Sequence, residues 1–149
     1  MLAICKDLEK TIEEVDARLS LLNETDLNHK PSLQKWSKKE ILGHLIDSAN
    51  NNLNRFIRGQ YLDEPHIVYD QDQWVSIQNY QAMPLENVQQ LWKIANLQIV
   101  NVLKNMPQKS FEKKCDTGKE QKELHTLSWL ANDYLAHLHH HLNQIFSHS

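Results

Sequence analysis

The chain has 149 residues, with 16 Lys and Arg against 19 Asp and Glu, a formal net charge of −3 and 40% hydrophobic residues. That is length enough for one domain, residues 1–149, whose core needs neither disulfides nor a structural metal. The near-balanced charge, with no basic block, argues against a nucleic-acid partner, and no stretch approaches the roughly 20 apolar residues of a membrane span.

Three Gly, four Pro and few β-branched runs favour an all-α fold. Charges within Met1–Lys10 leave no room for the apolar segment of a signal peptide. Cys5 and Cys115 show no CxxC spacing, so both are expected as reduced thiols in a cytoplasmic protein.

Apolar residues at Ile4, Leu8, Ile12, Val15, Leu19 and Leu22 predict a first helix over about 3–22, ended by Asn23–Asp26. A loop through Pro31 follows, up to Trp36. Ser37-Lys-Lys-Glu40 is a capping box, with Trp36 placed to form an apolar staple. The second helix is expected to run to about Arg58 and to stop at Gly59. Its core stripe is Leu42, Leu45, Ala49, Leu53 and Phe56. A second face carries His44, Ser48, Asn51 and Arg55, with Asp47 beside them. That face reads either as a pocket lining or as a solvated surface with a chance histidine.

Residues 60–83 are the least regular, with Pro65 and a short helix expected around Asp70–Tyr80. So long a connection in a compact domain usually works as a functional or mobile segment. Trp74 and Tyr80 in it fit a lid that only packs as well as they fit substrate contact. Pro84 suits the first turn of a third helix, which Pro107 stops. Residues 109–122 are charged and contain Gly118, a loop by composition.

The fourth helix begins near Glu123 or Thr126 and reaches Phe146. Leu124, Leu127, Ala131, Leu135, Leu138, Leu142 and Ile145 form its apolar stripe. His137 and His141, four apart, stack one turn above the other on one margin of that stripe, with Leu130 and Tyr134. His139 falls on the opposite margin and His140 points away. An i, i+4 histidine pair can present two imidazole nitrogens to one metal ion, although such pairs are often purely structural. The pattern continues beyond the histidines through Leu142, Ile145 and Phe146, unlike an appended histidine tag.

Four long helices predict an up-and-down type four-helix bundle with one long crossover between the second and third helices. His44 is then the third ligand that the pair requires. Trp36–Phe56 and Asp133–Ile145 together resemble the DinB/YfiT-like family of small metal-binding four-helix bundles, and Tyr69–Trp74 fits a subgroup of it. The family pattern of one His on the second helix and HxxxH on the last maps onto His44, His137 and His141. The adjacent His139 and His140 leave open which residue takes the last position, with helical phase favouring His141.

The resemblance implies a divalent metal, zinc or nickel most often, held by three neutral imidazoles with water completing the shell. It also implies activation of a low-molecular-weight thiol, such as bacillithiol or mycothiol, or of water. An S-transferase or hydrolase acting on a small-molecule substrate is the expected class. A homodimer is expected from the same resemblance. From helical position alone, Asn51 and Arg55 are candidates for binding a carboxylate-bearing cosubstrate, and Asp47 for orienting a ligand. The alternative is a non-catalytic metal- or small-ligand-binding stress-response bundle.

Overall fold

Helix formation starts where the sequence marks it. Ser37 Oγ accepts from the Glu40 backbone N–H while Glu40 reaches back to the Ser37 N–H, so two orphan donors of the helix start are satisfied together. The computed structural model describes residues 1–147. It contains α1 (Leu2–Leu19), α2 (Glu24–Asn28), α3 (Lys38–Tyr61), α4 (Gln71–Gln78), α5 (Leu85–Asn105) and α6 (Leu127–Phe146). Two short strands, β1 (Lys114–Asp116) and β2 (Leu124–Thr126), pair antiparallel ahead of α6.

The four long helices α1, α3, α5 and α6 form the bundle. α3 packs on α5 and α6, and α1 on the same two, so α1 lies diagonal to α3 and α5 diagonal to α6. Asp16 of α1 meets Gln89 and Lys93 of α5, and Glu9 meets Lys104, so these two helices are antiparallel. Asp7 meets His139, and Arg18 lies over the Phe146 ring, so α1 and α6 run the same way. His44 pairs with His137 and His141, and Phe56 with Tyr134, making α3 and α6 antiparallel. It follows that α3 and α5 point the same way. Simple alternation therefore breaks at the crossover, and for a physical reason. A 24-residue α3 is about 36 Å long, and residues 62–84 must carry the chain back along it before α5 begins.

The core is one continuous cluster in which Leu8, Phe56, Val88, Trp92, Ile99 and Leu127 are fully buried. Each such side chain contributes about 1.5–3 kcal/mol of burial. Among the described residues, no helix is long and apolar enough to cross a membrane. Both cysteines are buried free thiols.

Several local expectations are corrected. Gly59 does not end α3, which continues to Tyr61. Its role is close approach: a Cβ there would lie 2.7 Å from Leu127 Cδ2 and 2.9 Å from Cys115 Sγ. Residues 24–28, expected as loop, form α2, because Asn23 Oδ1 caps it by accepting from the Asp26 N–H. Leu124, assigned to the last helix, belongs to β2, because Thr126 Oγ1 caps α6 by accepting from the Trp129 N–H. The core face of α6 is also turned towards its histidine side. Leu130 and Tyr134 are buried, whereas Leu135 is only partly covered.

Gly43 shows how tightly the crossover is seated, since any Cβ at this position would overlap the Tyr80 ring. Gly43→Ala is expected to lower stability by about 2 kcal/mol through overpacking. A urea midpoint that falls with an unchanged slope would report this, and an unchanged midpoint would show that the ring yields freely.

Candidate metal centre

His44 is set on the inner side of α3, and His137 and His141 occupy successive turns of α6 facing it. The three offer ligand nitrogens that all lie within 4.8 Å of one another. His44 Nε2 is 3.3 Å from His137 Nε2. Ring centroids are 5.1 Å apart for His44–His137, 4.8 Å for His44–His141 and 4.5 Å for His137–His141. Two nitrogens about 2.0–2.1 Å from a tetrahedral zinc would be roughly 3.3 Å apart, the separation of the His44 and His137 nitrogens.

The electrostatics fit as well. Burial, then the neighbouring His137 and His141, pushes the His44 pKa down to about 3. Burial, then His141 and His140, pushes that of His137 down to about 4. Burial also lowers that of His141, against a hydrogen bond to Gln144 that raises it. All three are neutral near pH 7, the state in which imidazole has a lone pair to give.

His139 and His140 stand apart. His139 reaches across to Asp7 of α1, with its Nε2 2.9 Å from Asp7 Oδ1. His140 is exposed, its ring 5.1 Å from that of His141. Neither joins the cluster.

The structure also shows partners that sequence reasoning missed. His141 Nδ1 lies 2.8 Å from Gln144 Oε1. A carbonyl oxygen only accepts, so Nδ1 carries the proton and Nε2 the lone pair. The i, i+3 spacing of the two residues was the available signal. Trp36, expected only as a staple, packs its ring against His44 at 4.9 Å. His44 Nδ1 is buried without a hydrogen-bond partner.

Asp47 and Arg55 face the crossover. Asp47 Oδ1 accepts from Tyr80 Oη at 2.7 Å and from Gln78 Nε2 at 2.6 Å. Burial raises the Asp47 pKa, and those two hydrogen bonds oppose the rise. Asn51 Nδ2 donates to the Asp47 carbonyl at 2.9 Å. Arg55 donates through Nε and Nη2 to the Ile67 carbonyl, at 3.2 and 2.9 Å, and through Nη1 to Asn52 Oδ1. Tyr69 and Trp74 pack edge to face above this region, 5.5 Å apart.

The sequence profile of the DinB superfamily matches residues 7–145. The chain belongs to the DinB superfamily. Solved DinB-type structures share its fold. YfiT of Bacillus subtilis, described as a probable metal-dependent hydrolase with an unusual four-helix bundle topology, superposes with a TM-score of 0.85 at 20% identity. That match covers 96% of this chain and 82% of YfiT. A mycothiol-dependent maleylpyruvate isomerase gives a TM-score of 0.76 at 10% identity. The match covers 94% of this chain but only 58% of the isomerase. A DinB-like protein of Bacillus subtilis, YjoA, gives a TM-score of 0.65 at 15% identity, over 97% of this chain and 88% of that one. No curated protein sequence matches significantly.

Burying neutral histidines links stability to pH in this DinB protein. Below the ordinary histidine value of 6.5 the unfolded chain takes up protons that the folded site refuses. Metal-free protein is therefore expected to lose stability as pH falls from about 6.5 towards 4, and to change little through these groups above 7. Urea titrations at pH 7.5 and 5.0 measure the effect. Equal stability at both pH values would contradict the burial argument.

Proposed function

We propose that this protein is a metal-dependent enzyme in which His44, His137 and His141 hold a divalent ion, zinc or nickel. The observation that carries the reading is the convergence of three neutral imidazoles from two helices on one point. When bound, the ion supplies Lewis acidity that lowers the pKa of water or of a thiol. Three protein ligands leave positions open for a reactant, the arrangement of catalytic rather than closed structural sites.

The chain's own residues set up that chemistry. Gln144 fixes the His141 tautomer, and Trp36 limits water on the His44 side. Asp47 and Arg55 fasten the crossover, and Asn51 bonds the backbone of its own helix. The fold relationship to a thiol-dependent isomerase and a hydrolase supports a low-molecular-weight thiol or water as the activated partner and a small organic molecule as substrate. The unpaired thiols of Cys5 and Cys115 are consistent with a cytoplasmic setting.

Metal analysis and cobalt substitution test this reading together. The protein is expected to bind one divalent ion, with His137→Ala and His141→Ala losing it and His139→Ala retaining it. His140→Ala should also retain it. The cobalt form should gain a thiolate charge-transfer band when a small thiol is added. Metal retained by every single variant would dismiss the triad, and no spectral response to thiol would leave water as the activated partner.

We also propose a homodimer through the outer face of α5, where Leu91, Ile94 and Leu97 are 45%, 61% and 46% exposed. Light scattering should give twice the chain mass, and Ile94→Glu should return the monomer. A monomeric parent protein would exclude it.

A further inference from the structure

A cavity of about 810 Å³ opens at the end of the bundle where α1 stops, α3 begins and α6 ends. Its size lies within the ~300–1,000 Å³ typical of small-molecule sites. Leu22, Leu27, Ile41 and Phe146 give it an apolar lining. Arg18, Lys38 and His29 also line it, against a single acid among the described residues, Asp26.

Each of the two permanent cations meets α6 or the residue that follows it. The Arg18 guanidinium lies 4.0 Å from the centre of the Phe146 ring. Lys38 Nζ donates to the Ser147 carbonyl at 3.1 Å. Among the described residues neither forms an ion pair with a carboxylate. Two such cations beside an apolar surface match an anion that carries an apolar body.

The position of the cavity ties it to the histidine cluster. Trp36 and Gln144 both line it. On their other sides Trp36 packs on His44, and Gln144 holds His141 Nδ1. The cavity and the cluster therefore share a wall.

We infer that this cavity binds an organic anion with an apolar body, its anionic group between Arg18 and Lys38 and its body on Leu22, Ile41 and Phe146. Its role as the substrate pocket rests on the metal-enzyme reading above; its ability to bind such an anion does not. Contact with Gln144 makes occupancy perceptible at His141.

Decanoate is a suitable probe, with decylamine and acetate as controls, titrated calorimetrically into the full chain. Decanoate should bind saturably at one site, and decylamine and acetate should bind at least ten-fold more weakly. The Arg18→Gln/Lys38→Gln double variant should weaken decanoate at least ten-fold. Because those side chains also meet the end of α6, Leu22→Glu provides a second variant. Leu22 is exposed, so the fold should tolerate the change while the new carboxylate repels the probe. The His141 ring resonances should shift on binding, and those of the distant His125 should not.

Equal binding of decylamine, unaltered binding in both variants, or no saturable binding would overturn the inference. His137→Ala separates the two proposals. Decanoate binding that survives in it keeps the cavity whatever becomes of the metal. Stoichiometric metal without decanoate binding in the parent protein removes the cavity alone.

Discussion

Everything in this structure depends on α3 being able to serve two environments at once. One side, through Leu42, Leu45, Ala49 and Phe56, closes the core. The other carries His44, Asp47, Ser48, Asn51 and Asn52, all buried. Burying so many polar groups in one helix is tolerable only where each finds a partner. Most do, locally: Asn51 and Asn52 each donate to a backbone carbonyl one turn earlier. The two atoms left over are His44 Nδ1 and Asp47 Oδ2. Each unsatisfied group costs about 1–3 kcal/mol. Local breaches of good packing of this kind gather at working sites and are offset elsewhere in the fold. Here the offset lies in the apolar side of the same helix.

The crossover follows from that division. Parallel α3 and α5 oblige residues 62–84 to travel the length of the bundle, and the polar row on α3 gives them fixed points. Arg55 grips the Ile67 carbonyl near one end, and Asp47 receives Tyr80 and Gln78 near the other. Gly43 then lets the Tyr80 ring lie flat against the helix. Asp47 and Arg55 of that row thereby fasten a long return segment.

The sequence made the architecture legible because its signals there are local and redundant. The Ser37–Glu40 box, Pro84, Pro107 and four amphipathic stretches each mark an element independently. The histidine cluster was legible because i, i+4 spacing on α6 has one geometric meaning, and a third histidine at the start of α3 completes it. The functions of Gly59, Asp47 and Arg55 were not legible. Each depends on a contact with a residue distant in the chain: Leu127 and Cys115 for Gly59, Tyr80 for Asp47, Ile67 for Arg55. Nothing in the spacing of a single helix encodes such contacts. The turn of α6 that buries Leu130 and Tyr134 was hidden for the same reason. It is set by Phe56, whose ring meets Tyr134 edge-on at 6.4 Å, and by Asn96, whose Oδ1 accepts from Tyr134 Oη at 2.5 Å.

The placement of His44 and His137 on different helices has a consequence for the life of the protein in a cell. The two residues are 93 positions apart, so the proposed ion, shared between them, would tie together segments distant in the chain. Ligand binding of this kind raises the free energy of unfolding with the logarithm of the free ion concentration. Proteases act on the open chain, so with such an ion turnover would slow when it is plentiful and quicken when it is scarce. With the proposed ion, the abundance of the folded protein would follow metal supply.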